Sequence, residues 1–136
     1  MIIDASIGVK WLVPEDDADK ANALIGEVLL VPSLFFSEVA SAMWKKARRG
    51  ELAIEMIMPQ LPKLGLITET IDDAGYVTRA LELGRELDHP VYDCLYLAAA
   101  EALADVVITA DKRLVHRLEQ TRYKSLACDL ADWAIG

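Results

Sequence analysis

The chain predicts an α/β fold in which helices cover both faces of a central parallel sheet, and three observations carry that expectation. Short β-like runs alternate with longer helical ones, the rhythm of βα units. Two of the runs, MIID (1–4) and DVVITA (105–110), are continuously apolar instead of alternating, as strands buried on both faces are. An aspartate stands at the carboxyl end of each, Asp4 and Asp111, and open parallel sheets place their ligand crevice along that edge.

In chain order, MIID reads as the first strand, and ASIGVKWLV follows Asp4 as a helix. Helical character returns over about 16–28, and LLVP (29–32) is the second strand. A helix over about 33–49 starts next to Pro32 and stops at Gly50 after a basic last turn, as helix punctuation predicts. Another spans about 51–61, GLITET (65–70) is the third strand, and Asp72 and Asp73 open a helix over about 72–87, a capping role that needs no function. Pro90 starts a helix over about 90–103, DVVITA is the fourth strand, and KRLVHRL leads a helix over about 111–120. YKSLA reads as a last edge strand, and the tail LADWAIG fits no element.

The 136 residues, of which 54% are hydrophobic, suit one domain over 1–136 with a substantial core. No apolar run approaches the roughly 18 residues that cross a bilayer, and the first residues lack a signal peptide's basic and apolar regions, so a cytoplasmic location without membrane attachment is expected. Cys94 and Cys128 are far apart in sequence and read as buried free thiols. The net charge of −8 disfavours unspecific nucleic-acid binding and favours cationic partners. Local basic patches remain at Lys45, Lys46, Arg48 and Arg49 and at Lys112, Arg113, Arg117, Arg122 and Lys124, with a solvated helix face as the plain account of each.

The carboxylates carry the chemistry. In VYDCLYLAAA, Asp93 shares a helical face with Tyr96, Leu97 and Ala100, so no rotation sends it alone to water. Glu38, in LFFSEVASAM, lies one turn from Leu34, Phe35 and Ala42 on an apolar face. With Asp4 and Asp111 that makes four acids at odds with their local pattern. Singly each has a structural account: Asp4 and Asp111 as turn or helix caps, Glu38 and Asp93 as partners of backbone or a buried arginine. Gathered in one crevice, they would repel one another unless a divalent cation offset them, and all-oxygen ligands without paired His or Cys point to Mg²⁺, or Mn²⁺ in its place. Ser6 and Thr109, two residues from Asp4 and Asp111, carry hydroxyls suited to orienting a carboxylate or to capping. Lys10, the one charge in ASIGVKWLV, is placed to pair with an acid of the site or a substrate phosphate. His89 and His116 are secondary candidates for substrate contact.

Four segments, IIDASIGVKWLVPE, PSLFFSEVASAMWK, HPVYDCLYLAAAE and VVITADKRL, resemble in order the acidic motifs of PIN-domain ribonucleases, most closely the VapC-like toxins of prokaryotic toxin–antitoxin systems. The resemblance runs to about residue 120 and implies a three-layer α/β/α fold around a parallel sheet of about five strands. It implies that Asp4, Glu38, Asp93 and Asp111 form a catalytic, Mg²⁺-binding quartet that hydrolyses an RNA phosphodiester, with Ser6 and Thr109 beside it. It implies a homodimer and an antitoxin that blocks the site. Two rivals stand beside it: a catalytically silent PIN-like binding module, and another Mg²⁺-dependent α/β phosphotransfer domain. The latter would have a second acid two residues beyond the first strand's aspartate, where this chain has Ser6.

Overall fold

Five parallel strands, each two or three residues long, form the sheet of the computed structural model, which describes residues 1–133. They are β1 (Ile2–Ile3), β2 (Leu30–Pro32), β3 (Glu69–Ile71), β4 (Val107–Thr109) and β5 (Ala127–Asp129), in the spatial order β3-β2-β1-β4-β5. Ile2 pairs with Leu30 on one side and Val107 on the other, which places β1 at the centre. The chain builds outward from β1 to β3, crosses back, and continues on the far side through β4 and β5. The order therefore reverses between β1 and β4, and a ligand crevice opens at such a point, outside the strands' carboxyl ends.

The helices are α1 (Ala5–Leu12), α2 (Ala18–Asn22), α3 (Leu34–Arg48), α4 (Ile54–Ile57), α5 (Val77–Leu87), α6 (Val91–Leu103) and α7 (Lys112–Leu118). Both continuous apolar runs became central strands: Ile2, Ile3, Val107 and Ile108 are wholly buried. Helix α6 is apolar nearly all round, and every residue from Cys94 to Ala100 is buried, as expected of a helix enclosed on all sides. It packs on α5 and against β1, β2 and β4. Helix α3 buries Phe35, Val39 and Met43, one residue per turn. Each such side chain contributes roughly 1.5–3 kcal/mol on leaving water.

The expected α/β architecture with a parallel five-stranded sheet is the one observed. Several boundaries differ. The helix expected over 16–28 is α2 alone; the chain stops at Asn22 and turns through Gly26 at φ 106, a left-handed conformation that glycine adopts without a Cβ clash. The helix expected over 51–61 shortens to α4 and continues as a 3-10 helix from Met58 to Leu66, because Pro59 and Pro62 cannot donate the α-helical hydrogen bond. That 3-10 segment takes the first part of GLITET, so β3 starts only at Glu69. The helix expected over 72–87 opens as a 3-10 turn, Asp73–Tyr76, before α5. YKSLA is not the edge strand: Lys124–Leu126 is a 3-10 turn and β5 follows at Ala127. In the tail LADWAIG, Leu130–Asp132 form a further 3-10 turn, and the last three residues lie outside the described ones. Asp72 caps its turn through the Ala74 amide, whereas Asp73 reaches across to accept from the Ser33 and Leu34 amides at 2.5 and 2.9 Å, capping α3.

Helices α1 and α3 touch at Gly8, where a Cβ would stand 2.7 Å from Val39 Cγ2 and 2.8 Å from Phe35 Cζ. Both neighbours are fully buried and cannot move aside cheaply. Gly8→Ala is therefore expected to lower stability by about 1–3 kcal/mol, outweighing alanine's better helix propensity. Urea unfolding of the two proteins measures the difference, and an unchanged midpoint would contradict this packing.

Candidate functional site

Asp4 emerges from β1 at the reversal point and caps α1, its Oδ1 accepting the Ser6 amide at 3.1 Å. The Ser6 hydroxyl donates to the same oxygen. Across the gap, Thr109 at the end of β4 donates to Asp4 Oδ2 at 2.5 Å. Ser6 Oγ accepts the Ala110 amide at 2.8 Å and Thr109 Oγ1 accepts the Asp111 amide at 2.9 Å, so the two hydroxyls tie both strand ends to one carboxylate. Asp111 in turn caps α7 by accepting the Arg113 amide at 3.0 Å.

The other two acids arrive on helices. Glu38, half-buried on α3, accepts at 2.6 Å from the hydroxyl of Tyr96, a residue of α6 that is 1% exposed. Asp93, one turn earlier on α6, meets His89 Nε2 at 2.8 Å through Oδ2. His89 is set by the corner between α5 and α6. Asp88 takes the left-handed conformation at φ 49, and the His89 amide donates to the Gly84 carbonyl at 3.1 Å. Asp93 and Asp111 line one cleft of about 590 Å³, together with Lys112, Arg113 and Arg117.

Burial first, and the charges of Asp93 and Asp111 in addition, raise the pKa of Asp4 to about 6 against the opposing hydrogen bonds of Ser6 and Thr109. Burial likewise raises Glu38, again with Asp93 adding to the rise. Tyr96 is held firmly in its protonated form, by burial first and by the Glu38 charge beside it. Asp4 thus lies within reach of the charges of Asp93 and Asp111, and Glu38 within reach of Asp93, yet no Lys or Arg of the described residues pairs with Asp4, Glu38 or Asp93. Arg113 approaches Asp111 only at 4.0 Å and is 94% exposed.

In kind, these donors suit a hard divalent cation: carboxylates and hydroxyls, with the Cys94 thiol of α6 turned to the backbone and its pKa raised to about 11. Among the described residues, no three His, Cys, Asp or Glu side chains are grouped closely enough to hold a metal ion between them.

Lys10 does not join these acids. It stands in the last turn of α1, about 9 Å along the axis from Asp4, and its Nζ is taken by the Asp16 carbonyl at 2.6 Å and by Glu15 at 3.4 Å. Capping, the plain account of Asp4 and Asp111, is true of both, and Ser6 and Thr109 serve as orienting hydroxyls. No arginine meets Glu38 or Asp93; their partners are Tyr96 and His89. A signal for Tyr96 was available, since a buried tyrosine hydroxyl seeks a partner and Tyr96 shares a face with Asp93. His89 stands four residues before Asp93, but across a proline at which helical spacing stops applying. His116 lines the cleft and pairs with Glu119 at 3.2 Å. Cys94 is buried and Cys128, on β5, partly so; both are free thiols.

A parallel sheet that reverses beside its first strand, with Asp4 and Asp111 at the carboxyl ends of its two central strands, defines an α/β domain of the open, doubly covered kind. The PIN domain's sequence profile matches residues 1–119, and the chain belongs to the PIN-domain family. It is 27% identical over 122 residues to ribonuclease VapC3 of Pyrobaculum aerophilum, covering 86% of this chain and 93% of that protein. It is 30% identical over 117 residues to ribonuclease VapC9 of Mycobacterium tuberculosis, covering 84% and 87%. Among solved structures, PAE2754 of Pyrobaculum aerophilum superposes with TM-score 0.73 at 25% identity, covering 96% of this chain and 83% of the other. A toxin–antitoxin complex from Klebsiella pneumoniae superposes at 0.68 with 13% identity over 98% of both chains, which speaks for the shared fold.

The raised pKa of Asp4 has a definite sign. Below the ordinary value of 3.8 the folded and unfolded chains both hold the proton; between 3.8 and about 6 only the unfolded chain releases it, so this group's effect is to lower stability as pH rises through that window. Asp4→Asn removes the effect and keeps a capping residue. Measured by urea unfolding in chelator, the variant's stability advantage over the parent is expected to grow from near zero at about pH 4 to roughly 3 kcal/mol at about pH 7. A difference independent of pH would contradict it.

Proposed function

We propose that the chain is a Mg²⁺-dependent endoribonuclease, the toxin of a toxin–antitoxin pair. The observation that carries this reading is the Asp4 carboxylate, buried at the sheet's reversal point with acids around it and only neutral hydroxyl and amide partners of its own. Membership of the PIN family, and the ribonuclease names of its VapC relatives, supply the reaction class.

On this reading Asp4, Asp93 and Asp111, with Glu38 beside them, would hold the cation, and Mn²⁺ would substitute for Mg²⁺. When bound, the ion supplies a water of lowered pKa and charge for the phosphodiester's developing negative oxygens. The chain's own residues set the geometry. Ser6 and Thr109 fix both oxygens of Asp4, so that carboxylate does not rotate when a ligand arrives. Tyr96 orients Glu38 through a phenol that stays protonated. His89 holds one oxygen of Asp93 and leaves the other to face the cleft.

The partners follow from the same reading: RNA as substrate, a second copy of the chain, and an antitoxin. Exposed Val77, Val91 and Tyr92 sit about a groove with Leu34 and Leu95, which supports self-association. The net charge of −8 suits a basic antitoxin, and the Klebsiella pneumoniae structure that shares this fold is a toxin–antitoxin complex. No helix among the described residues is long and apolar enough to cross a membrane.

Purified Asp93→Asn is expected to lose RNA cleavage in Mg²⁺ by about two orders of magnitude or more while unfolding at a similar urea concentration, because a neutral isostere removes charge without leaving a cavity. Expression of the parent alone in bacteria should arrest growth, and expression of the variant should not. Undiminished cleavage by the variant would refute the metal role; a parent that neither cleaves RNA nor slows growth would favour the silent binding module.

A further inference from the structure

We infer that the exposed end of α3 is a second contact for the RNA substrate, where Lys45, Arg48 and Arg49 hold a backbone phosphate and Trp44 stacks on a base. The inference rests on the nuclease reading and extends it beyond the scissile bond, to a surface that shares no residue with the acidic cleft.

The end of α3 gathers four of the chain's 14 Lys and Arg residues into positions 45–49. Lys46 is already paired, with Glu15 at 2.9 Å. The other three are exposed and together line a cavity of about 290 Å³ that has no carboxylate among its lining residues. Among the described residues, Lys45 and Arg48 have no ion pair, and Arg49 has one, with Glu51 at 2.7 Å, between side chains 61% and 49% exposed. A pair so open to water holds its partners weakly. In a chain of net charge −8, a cavity walled only by cations is a seat for an anion. A basic last turn also offsets the helix dipole. That role draws cations back over the terminal carbonyls, and these side chains turn elsewhere, Arg49 to Glu51 and Arg48 over the Trp44 ring at 5.9 Å.

Two features make that anion a nucleic acid. The first is Trp44, a large apolar ring that is 57% exposed, with one of the cavity's arginines lying over it. An exposed indole beside phosphate-binding cations is the combination that holds single strands, because every base has a face to stack. The second is direction. Lys45 and Arg49 follow Glu38 by close to two and three whole helical turns, so the three form one stripe along α3, about 10 and about 16 Å along the axis from the acid. Ser41 and Ala42 lie between them and are too small to obstruct a strand laid along the stripe. RNA whose reacting bond is at the acidic edge therefore reaches the cavity within a few nucleotides. The antitoxin proposed above is basic, and like charge keeps it off this patch.

The test is fluorescence anisotropy of the full chain with a labelled, mixed-sequence single-stranded RNA, in chelator and over a range of KCl concentrations. Lys45→Ala/Arg49→Ala should weaken binding about tenfold or more and lower the salt slope by about 1–2. Trp44→Leu should weaken it about fivefold and leave the slope unchanged, since stacking releases no counterions. Arg85→Ala/Lys124→Ala removes the same charge from exposed positions elsewhere and should bind as the parent does. The inference is overturned if the Lys45 and Arg49 variant binds like the parent, if the Arg85 and Lys124 variant loses as much, or if Trp44→Leu changes nothing. It is also overturned if inorganic polyphosphate or poly-glutamate displaces the RNA as well as unlabelled RNA does, which would assign the cavity to a plain polyanion or to an acidic protein segment. In Mg²⁺, Lys45→Ala/Arg49→Ala should raise the KM for RNA cleavage about tenfold without lowering kcat. Parent protein that binds RNA through Lys45 and Arg49 but never cleaves it would remove the nuclease reading and leave this surface. Cleavage with a KM that ignores both residues would do the reverse.

Discussion

One carboxylate, that of Asp4, joins the architecture of this protein to its chemistry. It sits where the sheet reverses direction, and through Ser6 and Thr109 it holds the end of β1 against the end of β4. Burial and the neighbouring acids work against its charge, and the hydrogen bonds only partly offset them. The fold thus keeps a carboxylate where a carboxylate is costly. On the proposed reading, a hard ion seated there would relieve the burial and the repulsion together.

Helices α3 and α6 supply the rest of the edge, and each acid on them is oriented by a different neutral group, Glu38 by Tyr96 and Asp93 by His89. Asp73 contributes from a distance by capping α3, the helix that carries Glu38. Little of this orientation depends on the basic residues. They line the cleft beside Asp93 and Asp111 or stand elsewhere, with Lys10 and Lys46 both drawn to Glu15.

Much of the fold was legible because its driving pattern is local. MII and VVIT are continuous apolar runs, and only a strand enclosed on both faces uses them in that form. VYDCLYLAAA gave away Asp93 for the same reason, as a charge on a face with no route to water. What was not legible depends on contacts between distant residues. Edge strand β5 is three residues long, half-buried and carries Asp129, so its sequence holds no apolar run to mark it. Lys10 was misplaced because one charge in an apolar helix points to some partner without saying which, and Glu15 was nearer than the acids. Pro59, Pro62, Asn22 and Gly26 were visible interruptions, and helical composition around them outweighed their signal. The hydroxyl of Tyr96 and the imidazole of His89 found their roles only when α3 met α6 and the α5–α6 corner closed.

The proposed function requires that a divalent cation and a proton compete for Asp4. Calorimetric titration of Mn²⁺ into the protein, repeated in buffers of different ionisation enthalpy, counts the protons that binding displaces. The account predicts release of about half a proton near pH 6, fading to almost none by pH 8, and neither binding nor release of that size in Asp4→Asn. Mn²⁺ that fails to bind, or that binds with the same proton count at both pH values, would contradict it.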